Sequence, residues 1–489
     1  MASHPLLNHD VLLAVLDLSQ QDDISRFMRT CRFFYNAALP PLLRQTVHLD
    51  SDDRLRQFLT FLHVQPHSRC SLLSSLHLDA FYFSESAALD LALALPLMLN
   101  LRSLRFDDAD YFMSYPPLST AFAALSSVRH LTMSPIGKYA VGMLLNFQSS
   151  LVHAHLDFHA VGFDLSFFDE LPHSHLPRYH PAVLLARSIP TLRALTTFQW
   201  RMHDHHRPDP SLVYPHMRHL DLDSSHLILT AVFMHAYPNL THLSYRVQGG
   251  EVGPAYNARR AHEFLARHHL NVREQTHNPA STWTRLQEFN GSLLDLYVLG
   301  LTCPIDTIRF SSVDEHVPDM LHTALSYARP RSLEFYGWPK DLRCPAPDVC
   351  AVFRGEAGSR LESLTFKAGI DRDDRDVDVA AVMEGLLSSL LSSPLRQFKV
   401  IVDAHPLVRL PPAVTVAARF SSREDRPQRP PPSFAERCVE AFDVEDYLRR
   451  LAAAIPSLRD AVLQVLGPYG RTRKAVLADG EIVFENIRV

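Results

Sequence analysis

The sequence predicts an α/β fold, a solenoid in which each repeat contributes one short strand and one helix. Three observations lead to this prediction. A six-residue pattern, apolar at its first, fourth and sixth positions, recurs along the 489-residue chain. The segments between the copies place apolar residues at helical spacing. Prolines stand between many of these helices and the next strand, where a proline ends a helix and favours an extended chain.

The repeated pattern has Leu or another apolar residue at its fourth, central position. Its clearer copies cover residues 73–78, 101–106, 128–133, 217–222, 240–245, 305–310, 361–366 and 395–400. Weaker copies are centred on Leu156, Leu195 and Leu333. The interval between central residues is 28 from Leu76 to Leu104 (104 − 76) and 27 from Leu104 to Leu131 (131 − 104). Leucine-rich repeats, which this region resembles, have a period of roughly 20–29 residues.

The resemblance implies a right-handed α/β solenoid, with a parallel sheet on the concave face and helices on the convex face. Helices are predicted at residues 88–99, 139–147, 182–189, 227–236, 259–269, 319–328 and 377–391. The competing interpretation is a doubly wound α/β enzyme. No Gly-rich loop follows a predicted strand, and only 16 residues are Gly, so the solenoid is favoured.

The repeats are interrupted in several places. The 39-residue interval from Leu156 to Leu195 (195 − 156) predicts a loop insertion. Further interruptions are a Gly-bearing loop, two strand-like runs and a charged loop, at residues 248–256, 286–301 and 371–378. The second strand-like run is the apolar segment 293–299.

Four domains are predicted. Residues 1–45 form a helical domain, and 46–405 form the solenoid. Residues 406–433 are dense in Pro and are expected to be a mobile linker. Residues 434–489 form a C-terminal repeat and cap, in which Asp479 and Gly480 predict a hairpin turn.

The N-terminal domain is predicted from two short amphipathic helices. Asn8 is a suitable N-cap, and Asp10 lies in the first turn, where the helix dipole favours negative charge. The first helix has an apolar stripe formed by Val11, Leu12, Val15 and Leu16. The second, from about Asp22, has apolar residues at three- and four-residue spacing, namely Ile24, Phe27, Met28, Cys31 and Phe34. A unit this small needs a neighbour in order to fold.

This stretch resembles an F-box. The family pattern is Leu-Pro-x-Glu-(Leu/Ile)-Leu, then Ile-Leu and Asp-Leu, and an ending Cys-(Arg/Lys)-x-(Trp/Phe); here Asn8 replaces the proline. The resemblance implies that the helices bind the Skp adaptor of a Skp–cullin–F-box ubiquitin ligase. The expected contact residues are Leu7, Asn8, Val11, Leu12, Val15, Leu16, Ile24, Phe27, Cys31 and Phe34. The alternative is that these helices only cap the first repeat.

The resemblance therefore implies a substrate-recognition adaptor, not an enzyme, whose repeats bind a protein substrate. The alternative is a leucine-rich-repeat scaffold that joins no ligase. We expect a monomer within a hetero-complex. Six scattered cysteines and the lack of a signal peptide predict a cytoplasmic or nuclear protein. The net charge of −5 and the lack of a long apolar run predict no nucleic-acid or membrane partner.

Substrate contacts are expected on the concave face, where side chains flanking each central residue point outward. The candidates are Arg105, His130, His155, Asp157, His219, Asp221, His242, Arg309 and Glu334. His130 would lie beside His155, and His219 beside His242. One hypothesis is that substrate affinity changes between about pH 5 and 8 as this histidine column titrates. The alternative is a generic polar lining.

No catalytic, cofactor or metal site is predicted. The segment 203–206 has three His but no partner cluster at zinc spacing. Cys344 and Cys350 lack the spacing of a zinc or redox pair. Asp371 and Asp373 lack the Gly and Glu that complete a calcium loop. The chain has no nucleophile-elbow motif and no phosphate-loop lysine.

Overall fold

The structure is a computed structural model, and it describes most of the chain. The described residues are 9–79, 83–159, 178–200, 209–224, 227–247, 253–279, 282–312, 319–337, 353, 355, 358–370, 374–391, 393–404, 432–467, 471–478 and 480–488. Several predictions lie outside these residues: residues 406–431 of the predicted linker 406–433, the segment 203–206, Cys344, Cys350, Asp371 and Asp373. Residues 160–177 of the predicted loop insertion also lie outside them.

The chain divides into two compact units. The first comprises Met1–Ile228 and His235–Leu240, and the second comprises Leu229–Met234 and Thr241–Val489. The N-terminal helices, predicted as a domain ending at residue 45, belong to the first unit together with the early repeats.

The first unit contains seven described strands in a sheet. They are β1 (Thr46–Leu49), β2 (Ser75–Leu78), β3 (Ser103–Phe106), β4 (His130–Met133), β5 (His153–Asp157), β6 (Ala194–Trp200) and β7 (His219–Ser224). Each strand pairs in parallel with the next strand in the chain. Parallel neighbours in chain order need a crossover between them, and helices provide it.

The helices of the first unit precede and separate these strands. They are α1 (His9–Leu18), α2 (Gln21–Met28), α3 (Arg32–Arg44), α4 (Asp52–His63), α5 (Pro66–Cys70), α6 (Glu85–Ala94), α7 (Ala109–Met113), α8 (Pro116–Ala123), α9 (Lys138–Asn146) and α10 (Pro181–Leu184). Short 3₁₀ helices follow α6 and α10, at Leu95–Leu97 and Ala186–Ser188. Helix α11 (Thr230–Ala236) contains the division between the two units.

The second unit has the same alternation and a different ending. Its strands are β8 (His242–Val247), β9 (Leu286–Gly291), β10 (Ile305–Phe310), β11 (Ser332–Tyr336), β12 (Ser363–Gly369), β13 (Gln397–Asp403), β14 (Asp460–Leu466), β15 (Arg471–Ala478) and β16 (Glu481–Arg488). Pairing is parallel from β8 to β14 and antiparallel from β14 to β16. Its helices are α12 (Gly253–His277), α13 (Leu293–Leu299), α14 (Met320–Ala328), α15 (Val379–Leu390), α16 (Phe434–Ala441) and α17 (Val444–Ala454).

The repeated pattern produces the core. In the first unit Leu76, Leu104 and Leu131 are register partners on successive strands, and each is at most 2% exposed. Burying a leucine side chain stabilises a fold by about 1.5–3 kcal/mol, so this ladder is a major contribution. The alternate side chains of most of these strands stay wholly or partly exposed. We call the surface that these side chains form the open face of each unit.

The register corrects one predicted repeat. In β5 the partner of Leu131 is Ala154, whereas Leu156 is the partner of Met133. The prediction that His155 lies beside His130 is therefore wrong. Residues 151–156 follow the six-residue pattern with Ala154 at its centre, so the central residue of this copy is not a leucine.

Two secondary-structure predictions are also wrong. Residues 293–299 form helix α13 instead of a strand, because Ser292 caps it with Asp295 and Gly300 ends it at a φ of 57°. A short apolar run does not distinguish a buried strand from a buried helix. The predicted loop 248–256 ends earlier, since α12 begins at Gly253 and continues for 25 residues.

The predicted C-terminal hairpin is confirmed. Strands β15 and β16 pair in antiparallel fashion from Arg471 and Arg488 to Ala478 and Glu481. Gly480 has a φ of 84°, a conformation that favours glycine. Over the part of the chain that is described, no helix combines the length and apolar character needed to cross a bilayer.

Candidate partner-binding surfaces

The three N-terminal helices enclose a small core of their own. Leu16, Ile24 and Ala38 are buried at its centre. Partly buried apolar side chains pack around them, namely Leu13, Phe27, Met28, Phe34 and Leu42. The rings of Phe27 and Phe34 are 5.9 Å apart between centroids, which joins α2 to α3. The core therefore uses only one side of α1.

The opposite side of α1 is apolar and exposed. Val11 is 46% exposed, Val15 43% and Leu18 89%. The spacings of four and three residues place these three side chains on one face of the helix. We call this set the α1 stripe. Most of its apolar surface is uncovered within the described residues, an arrangement typical of protein interaction sites.

The structure separates the predicted adaptor contacts into three groups. Leu16 and Ile24 are buried and hold the helices together. Val11, Val15 and Cys31 are exposed, whereas Leu12, Phe27 and Phe34 are partly buried. Leu7 and Asn8 lie outside the described residues. Leu18, which was not among the predicted contacts, is the most exposed apolar side chain of α1.

Arg69 fixes the N-terminal helices to the first repeat. Its buried guanidinium donates hydrogen bonds to the Phe61 carbonyl oxygen at 2.6 Å and to the Tyr35 hydroxyl at 3.1 Å. It also lies 4.3 Å from the centroid of the Phe61 ring. Nearby, the Gln45 amide donates to the Ser19 carbonyl oxygen at 2.9 Å. Because α3 and α4 share these contacts, the α1 stripe has a defined position relative to the early repeats.

Histidines form two stacked pairs on the open face of the first unit. His130 and His153 begin adjacent strands and stack with centroids 4.8 Å apart. His48 and His77 lie at the third position of β1 and β2, with centroids 4.4 Å apart. Partial burial lowers the pKa of His153, and the positive charges of His130 and Arg193 lower it further. Of the predicted column, His130 is confirmed as a member of a pair, but its neighbour is His153 instead of His155.

Sequence reasoning missed His48, His77 and His153 for identifiable reasons. The pattern copy that contains β1 covers residues 44–49 and begins with Arg44 instead of an apolar residue, so the pattern does not identify it. A pattern centred on Leu156 puts His155 beside His130, whereas the observed register of β5 puts His153 there, two residues earlier. His77 lies directly after a central Leu in a recognised copy, so its position was available from the sequence alone.

The other predicted residues of the first unit have their own partners on the open face. Arg105 donates to the Asp107 carboxylate at 2.8 Å, and this hydrogen bond raises the pKa of Arg105. Asp157 accepts from the Ser134 hydroxyl at 2.7 Å. His155 is half-buried, and His219 is exposed at the start of β7. Asp221 is half-buried at the third position of the same strand.

Opposite charges collect at the two ends of the strands in the first unit. An arginine directly precedes β3, β4, β6 and β7, at Arg102, Arg129, Arg193 and Arg218. An aspartate lies at or directly after the end of β1, β2, β3 and β5, at Asp50, Asp79, Asp107 and Asp157. A protein partner on this face would meet positive charge at one edge and negative charge at the other.

A cluster of paired charges lies on the open face of the second unit. Arg309 forms ion pairs with Glu288 on one neighbouring strand and with Glu334 on the other. His242 is half-buried, and its Nδ1 lies 2.9 Å from the Thr241 hydroxyl. Two carboxylates flank a single guanidinium, so these three side chains together carry a net negative charge.

A buried polar cluster in the second unit has a structural role. Helix α12 presents His268, Asn271 and Gln275 to the C-terminal end of α13. His268 Nδ1 lies 2.6 Å from the Tyr297 carbonyl oxygen, Asn271 donates to that of Val298 at 2.8 Å, and Gln275 donates to that of Gly300 at 2.8 Å. The last carbonyl oxygens of a helix have no hydrogen-bond partner within that helix, and these three side chains provide the partners at the end of α13.

Comparison with models of known protein families and with curated protein sequences finds no match to this chain.

Proposed function

We propose that the protein is the substrate-recognition adaptor of a Skp–cullin–F-box ubiquitin ligase. The observation that carries this proposal is the α1 stripe. Val11, Val15 and Leu18 are exposed although the three-helix core beneath them is already formed without them. An apolar helix face of this kind is suited to packing in the groove of a partner.

The attachment of the helices to the repeats supports the same role. An adaptor of this class acts by holding a substrate near a reactive group on another subunit, and proximity alone can supply much of a rate enhancement. Such action requires a firm connection between the site that binds the ligase and the site that binds the substrate. The contacts of Arg69 with Tyr35 and Phe61 provide that connection at the start of the solenoid.

The substrate surface in this proposal is the open face of the repeats. Its strands present polar and charged side chains in regular columns, which suits a broad contact with a protein. Ubiquitin would be transferred by the assembled ligase, so the role requires no catalytic group on this chain. The pH dependence of substrate affinity expected from the histidine column stays a prediction.

A capture experiment with the Skp adaptor tests the proposal. We expect the double variant Val15→Asp, Leu18→Asp to recover at least tenfold less adaptor than the unmodified chain. Both side chains are exposed, so the core of Leu16 and Ile24 should be unchanged, and circular dichroism checks this.

The matched control places the same charges on other exposed leucines of the first unit. Leu93 is 74% exposed and Leu99 is 70% exposed, and both lie away from α1. The variant Leu93→Asp, Leu99→Asp should recover as much adaptor as the unmodified chain. Equal recovery by the α1 variant would refute the proposal and favour a repeat scaffold outside any ligase.

A further inference from the structure

Two histidines and an aspartate meet at the start of the sheet in the first unit. His48 lies on β1 and His77 on β2, and the two are register partners. Asp79 directly follows β2, and its main-chain N–H donates to the Leu49 carbonyl oxygen at 3.0 Å. The backbone of all three residues is therefore held by the sheet or by its continuation, as a preorganised site requires.

The side chains of these residues converge. The His48 Nε2 atom is 3.2 Å from an Asp79 carboxylate oxygen. One nitrogen from each imidazole and one Asp79 oxygen all lie within 4.8 Å of one another. Among the described residues, this is the one group of three His, Cys, Asp or Glu side chains with that geometry. His48 is exposed, whereas His77 and Asp79 are half-buried, so an ion can reach the group from solvent.

We propose that His48, His77 and Asp79 form a binding site for a divalent late-transition-metal ion, with Zn²⁺ as the representative ion. Two imidazoles and one carboxylate are ligands that Zn²⁺ favours, whereas Mg²⁺ and Ca²⁺ prefer oxygen ligands alone. Zinc bonds of about 2.0–2.2 Å need the three ligand atoms closer together than they are now. Rotation of the exposed His48 ring and the Asp79 carboxylate can bring them together, and water can take the fourth position.

Asp107 supplies the outer support that such a site needs. Its carboxylate lies 2.8 Å from His77 Nε2, and Arg105 holds the same carboxylate at 2.8 Å. When the proton is on His77 Nε2, the lone pair of Nδ1 is available to a metal. A ligating histidine commonly donates its other N–H to a carboxylate, which orients the ring. Asp107 thus positions His77, and Arg105 positions Asp107.

The second histidine pair of the open face lacks the acidic partner. His130 and His153 stack much as His48 and His77 do, but they belong to no three-ligand group among the described residues. Each pair also has an arginine nearby, since Arg105 is the register partner of His77 and Arg193 lies near His153. These two pairs therefore form an internal comparison in which the carboxylate is the main difference.

Calorimetric titration of the chelator-treated full chain with ZnCl₂ at pH 7.5 tests the proposal. We expect one tight equivalent in the unmodified chain, and at least a tenfold higher Kd for His48→Gln, His77→Gln. The single variant Asp79→Asn should also weaken binding, and MgCl₂ should give no comparable heat. Substitution with Co²⁺ provides a second readout, since its visible spectrum reports nitrogen ligation.

The variant His130→Gln, His153→Gln is the matched control. It removes the same number of imidazoles from the same face and should keep the tight equivalent. Unchanged Zn²⁺ binding by the His48, His77 variant would overturn the proposal. An equal loss in the control variant would also overturn it, because binding would then depend on the total number of histidines. Circular dichroism of each variant separates loss of the site from loss of fold.

Discussion

Polar side chains are held in opposite ways in the interior and on the open face of this protein. In the second unit, Asn271 and Gln275 are buried and each makes several hydrogen bonds to fixed backbone groups. In the first unit, His130 is exposed and its ring is stacked on that of His153. The interior groups are committed to the fold, whereas those on the open face are accessible to a ligand.

Histidine shows this difference most directly. His180 is buried, and its Nδ1 accepts a hydrogen bond from the Ala182 main-chain N–H at 3.0 Å, which caps α10. Its ring meets the Trp200 ring edge to face at 4.9 Å. Burial lowers the pKa of His180 to about 3. On the open face the pKa of His153 is lowered as well, but that side chain remains exposed.

The largest expected effect is a pH-dependent loss of stability through His180. Its folded pKa of about 3 lies below the unfolded value of 6.5, so the unfolded chain binds more protons between these values. The stabilisation is therefore complete above pH 6.5 and is lost as the pH falls toward 3. The loss is about 1.4 kcal/mol per pH unit within this window.

The test compares the urea unfolding of the unmodified chain and of His180→Asn from pH 6.5 to 4. Asparagine can also cap a helix but does not titrate. The free energy of unfolding should fall more steeply with decreasing pH in the unmodified chain. Parallel pH profiles would show that His180 does not control this dependence, whatever the stability of the variant at neutral pH.

The second effect concerns the buried cluster at the end of α13. The variant Asn271→Leu removes the hydrogen bonds to the Val298 carbonyl oxygen and from the Thr230 main-chain N–H. Each buried polar group left unpaired costs roughly 1–3 kcal/mol, so unfolding should require less denaturant. The exposed Thr276→Ala on the same helix is the control and should change stability by no more than about 0.5 kcal/mol.

Hydrogen exchange locates that effect. Faster exchange should be concentrated in α13 and in the C-terminal half of α12, which share the cluster. If Asn271→Leu unfolds at the same denaturant concentration as the unmodified chain, the cluster does not stabilise this part of the second unit.

The smallest expected effect is on the open face. The variant His130→Gln, His153→Gln should change the free energy of unfolding by no more than about 0.5 kcal/mol, because surface substitutions rarely do more. Urea unfolding at pH 7.5 measures it. A loss comparable to that of Asn271→Leu would remove the distinction between the interior and the open face, and the stacked pair would then be a structural element.

Much of the repeated architecture could be predicted from the sequence because its signal is local. A buried apolar residue at the centre of the repeated strands and a helix before the next strand follow from apolar spacing and from the positions of Pro. The hairpin at Gly480 was predictable for the same reason, since a two-residue turn requires specific residue types. Similarly, the apolar spacing predicted α1 and α2, although it placed the core residue Leu16 in one stripe with the exposed Val11 and Val15.

Only the tertiary structure decided the register and the identity of the open-face neighbours. The sequence placed His155 beside His130, whereas strand pairing places His153 there. Helix α13 forms where an apolar run allowed either strand or helix, because Ser292 and Gly300 bound it and α12 supplies partners for its last carbonyl oxygens. The meeting of His48, His77 and Asp79 depends on β1, whose copy of the repeat is too degenerate to recognise. These features depend on which strands pair and in which register, and side-chain spacing along one chain does not contain that information.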